Sequence, residues 1–192
     1  MKIWKVRHSE ENEDWVEVKG GTFQFNIDVL NDMPRKSEWD RLELQGIDGT
    51  HAPLHFDSPV FTSRSLIVTE RAKECLEDLL DDNIELLPAR LEDEPLWLLH
   101  VMSTEGCVNH EESVVARRKT GKVRGFREYQ FNEEVVAPLT LFGIPEERVY
   151  CPFCTEVFKT RVEECGLRGL EFKLVWDSEL PKGSIVFPTI CV

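Results

Sequence analysis

The chain has 192 residues, of which 41% are hydrophobic and 31% are charged. A chain of this length predicts one domain with a buried core of its own. Its 23 basic and 36 acidic side chains give a net charge of −13. This argues against binding to nucleic acid or to an anionic membrane surface, because both need a basic face. Residues 1–96 hold 22 of the acidic and 11 of the basic side chains, so the first half carries most of the negative charge.

The N-terminus and the cysteines bear on the cellular compartment. The first residues are too polar for a signal peptide, and no apolar run reaches the roughly 18 residues of a membrane span. We therefore expect a cytoplasmic protein. Its six cysteines are expected to be reduced thiols, since an even count does not predict a disulfide framework in a chain of this size.

The first half of the chain predicts strands wherever apolar and polar residues alternate. These segments are residues 2–6, 15–18, 42–44, 84–88 and 95–101. The first helix is predicted to begin after Thr69, whose hydroxyl can accept a backbone N–H at the N-cap. An apolar stripe then runs along this helix through Ala72, Cys75, Leu76, Leu79 and Leu80.

The second half predicts fewer elements. Residues 105–122 are predicted to form a long polar loop, and residues 123–131 a β-segment that Gly125 interrupts. A second helix is predicted to begin after Thr155 and to end at Gly166, a residue that suits the left-handed position after a helix. Residues 170–176 alternate and predict a final strand.

These elements together predict an α+β fold, with a mainly antiparallel mixed sheet and two main amphipathic helices. We predict a single domain over residues 1–176 and a C-terminal tail over residues 177–192.

A zinc site is the first chemical alternative. Cys107 with His110, and Cys151 with Cys154, have the spacing that lets two ligands reach one ion. A predicted strand and a long loop separate the two pairs, and residues three apart on a strand point to opposite faces. We favour ordinary buried or half-exposed thiols, and we expect no metal and no cofactor.

The sequence does not indicate an enzyme. It has no nucleophile elbow, no phosphate-binding loop and no Gly-rich dinucleotide motif. His51, His55 and Asp57 would share one face of an extended segment, but the supporting groups of a rigid metal site are not evident. We predict no catalytic residues. A zinc-binding or Cys/His-dependent enzyme and a regulatory adaptor stay open as alternatives.

One basic stretch interrupts the acidic background. It could contact RNA, but we favour a solvated loop that pairs with the acids around it. The stretch consists of Arg117, Arg118, Lys119, Lys122, Arg124 and Arg127.

Several short blocks follow one another in a characteristic order. Three of them are Ser-Leu-Ile-Val-Thr-Glu-Arg-Ala at residues 65–72, Leu-Glu-Asp-Leu-Leu at 76–80 and Ile-Glu-Leu-Leu-Pro at 84–88. The others are residues 2–4, 38–39 with Leu42 and Leu44, 148–150, 155–158 and 165–172. Over about residues 1–176 this set resembles a family of bacterial immunity proteins encoded beside polymorphic toxins (family eleven in that naming, long filed as a domain of unknown function).

Two features depart from that family. Cys107-Val108-Asn109 stands where we expect a Leu-Asp pair. The pair Cys151 and Cys154 is not a family feature, so the resemblance gives no support to a zinc site.

The resemblance implies a cytoplasmic protein that binds a cognate toxin encoded nearby and blocks it, without catalytic residues. We expect occlusion of the toxin's active site or substrate groove. A toxin that attacks nucleic acid would carry a basic cleft, which an acidic protein could fill. Neither the toxin's activity nor the oligomeric state follows from the sequence.

Candidate toxin-binding residues are of two kinds. Acidic residues concentrate on short rigid elements, while exposed tryptophans are the residues that most often anchor interfaces. For each residue, plain solvated surface or core is the alternative. The candidates are Asp78, Asp81 and Asp82 at the end of the first helix, Glu92, Asp93 and Glu94 in a turn, and Trp15 and Trp39.

Overall fold

The structure is a computed structural model that describes residues 1–20, 25, 32–61, 65–117, 123–147 and 151–187. The elements of the first half are β1 (Lys2–His8), β2 (Trp15–Val18), β3 (Leu42–Ile47), β4 (Leu66–Thr69), α1 (Glu70–Leu76), β5 (Ile84–Leu91) and β6 (Glu94–Val101). Those of the second half are β7 (Val114–Arg117), β8 (Val123–Glu128), α2 (Glu133–Val136), β9 (Leu141–Phe142), β10 (Phe153–Thr155), α3 (Glu156–Glu164) and β11 (Leu170–Asp177). Two 3₁₀ turns, Glu77–Leu79 and Pro145–Glu147, complete the described elements.

The described strands form three sheets. A five-stranded sheet has the order β2-β3-β5-β6-β4, a four-stranded sheet the order β11-β1-β10-β9, and β7 pairs with β8 alone. All named pairs are antiparallel except β3 with β5, which is parallel. The predicted α+β class with mainly antiparallel mixed sheets is confirmed, although the strands divide among separate sheets.

Three apolar clusters hold these layers together. The middle cluster joins α1 and α3 to both large sheets, with Leu76 and Phe158 fully buried. A second cluster fills the other face of the five-stranded sheet. A third, rich in aromatic rings, packs β1, β8 and α2 together. Burial of these side chains is the main stabilising contribution to the fold.

The helix ends follow the predicted local sequence signals, with the exception of one capping bond. At the start of α1, Thr69 Oγ1 accepts a hydrogen bond from Ala72 N, as predicted. At the end of α3, Gly166 has φ +59° and its N–H reaches the Glu163 carbonyl, so the chain turns as a left-handed residue requires. Thr155 does precede α3, but its predicted capping bond is wrong. Its hydroxyl instead donates to the Leu139 carbonyl at 2.9 Å.

The predicted loop 105–122 is also partly wrong. Residues 114–117 form β7, because Val114, Val115 and Ala116 pair with β8. Arg117 ends this strand and Arg127 is exposed on β8. The rest of the predicted basic stretch, Arg118, Lys119, Lys122 and the Arg124 side chain, lies outside the described residues.

Residues 178–187 return to the body of the molecule. Ser178 N donates to the Met1 carbonyl, and Phe187 N donates to the Arg127 carbonyl at 2.7 Å. The assignment of residues 177–192 as a tail stays a prediction, and residues 188–192 lie outside the described part. No helix among the described residues is long and apolar enough to cross a membrane.

Candidate functional site

Strand pairing brings two of the predicted surface features to one end of the five-stranded sheet. Trp15 opens β2 and pairs with Ile47 at the end of β3. Strand β3 runs parallel to β5, with Leu44 beside Leu91, so β5 ends at the same edge. The turn that follows, Glu92 and Asp93, therefore lies near Trp15.

Hydrogen bonds fix the intervening loop, residues 48–55, against both sides of this edge. On the β2 side, Trp15 N donates to Thr50 Oγ1 at 2.9 Å. On the other side, Glu92 Oε1 lies 2.8 Å from His51 Nδ1, and Glu92 Oε2 accepts from Ala52 N at 3.3 Å. The loop is thus a bridge between the start of β2 and the β5–β6 turn.

Two further carboxylates hold the end of this loop. Glu94 Oε2 accepts from Leu54 N at 3.0 Å. Asp14 is buried and accepts from the backbone N–H groups of His55 and Phe56, at 2.6 and 2.8 Å. The carboxylates of Glu94 and Asp14 therefore stabilise the loop, whereas the neighbouring Glu13 and Asp93 are exposed to solvent.

We call the exposed part of this edge the sheet-end surface. Val16 and Val18 point into the core, so Trp15 points to the opposite face of β2, where the residue is 43% exposed. Acidic groups surround it, and none of the members is Lys or Arg. The sheet-end surface comprises Glu13, Trp15, Asp48, His51, Glu92 and Asp93.

The charge of this surface persists at neutral pH. The hydrogen bond from the His51 ring lowers the pKa of Glu92, and the bond from Ala52 N lowers it further. Glu92 has φ +53°, a left-handed conformation that ends β5 sharply and presents Asp93 at the tip of the turn. An apolar ring beside fixed negative charge is an arrangement suited to protein recognition.

The second predicted acidic set lies elsewhere. Asp78, Asp81 and Asp82 precede the start of β5, whereas Glu92 follows its end, so the length of this strand, about 23 Å at 3.3 Å per residue, lies between the two sets. Asp78 forms a two-bond ion pair with Arg161, at 2.6 and 3.1 Å, which lowers the pKa of Asp78. Asp81 accepts from Asn83 N at 2.9 Å, while Asp82 is exposed.

Trp39 contrasts with Trp15. It is half-buried, its ring contacts Phe25 edge-on at 6.0 Å, and its Nε1 donates to the Pro88 carbonyl at 3.0 Å. Trp39 therefore contributes to the second core cluster and offers a partner less surface than Trp15 does.

The residues of the zinc alternative are dispersed. Cys107 belongs to the aromatic cluster and Cys154 to the middle cluster, while His110 pairs with Glu146 at 2.6 Å. Burial raises the pKa of Cys107 to about 12 and also raises the pKa values of Cys151 and Cys154, which disfavours the thiolates that zinc binds. Over the part of the chain that the structure describes, no group of three or more Cys, His, Asp or Glu side chains could hold a metal.

The histidine pair is likewise divided among separate partners. The rings of His51 and His55 lie against Glu92 and Asp14, whereas Asp57 binds the Arg71 guanidinium at 2.8 and 2.7 Å. The three side chains do not converge on one point.

One buried polar cluster is not predicted from the sequence. Glu147, almost fully buried, receives Lys5 Nζ and the Tyr129 hydroxyl, both at 2.5 Å. Burial raises the pKa of Tyr129, so the phenol stays protonated and donates. No local pattern links residues 5, 129 and 147. The cluster ties β1 to the chain after β8 inside the aromatic core.

Two comparisons with known proteins complement this geometry. A family model described as Immunity protein family (Imm11) matches residues 54–177. This region runs from the end of the 48–55 loop through β11, and it contains the β5–β6 turn but not Trp15. A search of curated proteins finds no match.

Proposed function

Because the chain belongs to the Immunity protein family (Imm11), we propose that it binds a cognate toxin domain and covers that toxin's active site or substrate groove. Membership of the family implies a toxin-neutralising immunity function, and the match over residues 54–177 is the observation that carries the proposal. The proposed setting is the bacterial cytoplasm, with the toxin, of the polymorphic class, encoded beside this chain.

The sheet-end surface is the proposed contact with the toxin. A hot spot usually combines an exposed aromatic anchor with a rim that excludes water. Trp15 supplies the ring, and Glu92 and Asp93 supply charge on an element that backbone and side-chain bonds hold in place. A preformed surface of this kind loses little conformational entropy on binding.

The charge of the chain favours a basic partner. At −13 overall, the protein attracts a positively charged cleft, and fixed acids at the contact raise the rate of encounter. A toxin that attacks nucleic acid would carry such a cleft. Inhibition then needs no chemistry from this chain, only a bound surface that the toxin's substrate cannot displace.

Growth of a naive bacterial host tests the function itself. The C-terminal domain of the large reading frame encoded beside this chain is expressed alone and together with this protein. We expect killing by the toxin domain and rescue by co-expression. If the neighbouring domain is harmless, or kills with this protein present, the immunity proposal fails.

A matched pair of charge reversals tests the surface. Asp93→Lys alters the sheet-end surface, and Asp82→Lys makes the same change on an exposed residue near the opposite end of β5. We expect Asp93→Lys to weaken toxin binding by about tenfold or more, through slower association, and Asp82→Lys to change it by less than about twofold. Equal losses from both variants would show that total charge, not this surface, determines binding.

A further inference from the structure

Two cysteines from distant parts of the chain meet where α1 packs against α3. Cys75 lies near the end of α1, and Cys165 is the residue that follows α3. Their thiols share a side-chain hydrogen bond, and both residues are half-exposed with free thiols. They differ in this from Cys107 and Cys154, which are buried singly in separate clusters.

Two arginines hold the pair in register from opposite directions. Arg71 of α1 donates to the Cys165 carbonyl at 2.8 Å, and Arg161 of α3 donates to the Cys75 carbonyl at 2.9 Å. Each guanidinium is itself anchored, Arg71 by Asp57 and Arg161 by Asp78. Each helix is therefore bonded to the backbone of the other at one of the two cysteines, which holds Cys75 and Cys165 at the same junction.

The same arginines place positive charge beside the sulfur atoms. Arg71 interacts electrostatically with both thiols, and Arg161 with Cys165. A side-chain hydrogen bond with Cys165, together with burial, raises the pKa of Cys75, which disfavours Cys75 as the thiolate that attacks first. Two neighbouring thiols flanked by cationic side chains are the usual arrangement of a site that oxidises reversibly.

We propose that Cys75 and Cys165 form a reversible disulfide when the protein meets a peroxide, and that this bond links α1 to the end of α3. The Cys165 thiolate attacks one peroxide oxygen, an S–O bond forms as the O–O bond breaks, and the hydroxide that leaves takes up a proton to give water. Cys75 then attacks the sulfenic sulfur, the S–S bond forms, and the oxygen leaves as a second water. The two sulfurs together lose two electrons, and the peroxide is reduced to two waters.

The bond would stabilise the folded chain. It closes a loop of about 90 residues, and long loops are those for which a crosslink most restricts the unfolded chain. We expect the thermal midpoint to rise by roughly 5–15 °C on oxidation and to return on reduction by dithiothreitol. The proposal concerns the chain alone and does not depend on toxin binding.

Mass spectrometry of the full-length protein after hydrogen peroxide treatment tests the proposal. We expect a mass lower by two hydrogens, a peptide that joins Cys75 to Cys165, and the higher thermal midpoint. Cys75→Ser and Cys165→Ser should each lose the crosslink and the gain in midpoint. Cys151→Ser removes a half-buried thiol that precedes β10. This control should keep the crosslink and the gain in thermal midpoint.

Three results would overturn the proposal. The first is that both thiols remain free after peroxide treatment of folded protein. The second is a link between other cysteines, such as Cys151 with Cys154. The third is a crosslink that forms only after unfolding in denaturant, since the packed helices would then not be what joins the pair.

Discussion

Replacement of Trp15 with alanine is expected to weaken toxin binding by about 70-fold. A tryptophan side chain has roughly 250 Å² of surface, and 43% of this residue is exposed, so about 100 Å² is available to a partner. At about 25 cal/mol per Å², burial of that area contributes about 2.5 kcal/mol to binding. This energy corresponds to a factor of about 70 in Kd.

The same substitution should leave the fold intact. The hydrogen bond from the backbone of Trp15 to Thr50 Oγ1 does not involve the indole, so the anchor of the 48–55 loop remains in alanine. The covered part of the ring is lost, and we expect a stability loss of about 1–2 kcal/mol. Urea denaturation measures this loss separately from binding, and isothermal titration calorimetry at fixed salt measures Kd.

Val157→Ala provides the matched control for this experiment. Val157 is an apolar residue on α3, outside the sheet-end surface, and it is 56% exposed. We expect the control to bind as the wild type does. If Trp15→Ala binds within about threefold of the wild type while folded, the indole is not an anchor and the proposed surface is wrong.

Four other outcomes are expected. The affinity for the toxin should fall about tenfold or more between about 50 and 200 mM salt in calorimetric titrations, and an unchanged affinity would exclude recognition by charge. Asp57→Asn should cost about 2 kcal/mol in urea denaturation, because it weakens the bonds to Arg71 and to the part-buried Arg168 N–H, while the exposed Arg71 guanidinium regains water. Burial lowers the pKa of His8 below 6.5 in the folded state, so its contribution to stability is full above pH 6.5 and is lost as the pH falls; His8→Asn should flatten this slope between pH 7 and pH 5, and an unchanged slope would contradict the assignment. Gly125→Ala should cost roughly 2–3 kcal/mol, since Gly125 has φ +146° and an added Cβ would lie 2.6 Å from Glu147 Oε1; a neutral effect on the thermal midpoint would contradict it.

Elements with strong local patterns were predictable from the sequence. The β5–β6 hairpin, the start of α1 at Thr69 and the end of α3 at Gly166 each follow from a few neighbouring residues. The short strands β4, β7, β9 and β10 lack such patterns, because short strands are stabilised mainly by the strands they pair with, such as β6 for β4 and β1 for β10. Thr155 shows the same limit, since a tertiary partner, the Leu139 carbonyl, replaced the expected capping bond.

The grouping of surface residues could not be predicted in the same way. Trp15 and Glu92 are adjacent features only because β3 pairs in parallel with β5, a choice that no local pattern specifies. The net charge of the sequence also does not give the charge of the molecular surface. Asp14, Asp57 and Glu147 contribute to the total of −13, but they are buried and bound within the fold. The negative potential outside the molecule therefore depends on which acids remain exposed, and the sheet-end surface is one place where they gather around an apolar ring.

The strand that carries Trp15 lies outside the region that matches the family. The match begins at residue 54, so β2 and β3 lie outside it, although residues within it hold β2 in place. Val16 N donates to the Val60 carbonyl at 3.0 Å, and Val60 N donates to the Asp14 carbonyl at 2.7 Å. The matched region thus acts as a support for an edge strand that presents Trp15. If Trp15→Ala abolishes binding while Asp93→Lys does not, recognition resides mainly on that supported strand; if the reverse holds, it resides on the matched β5–β6 turn.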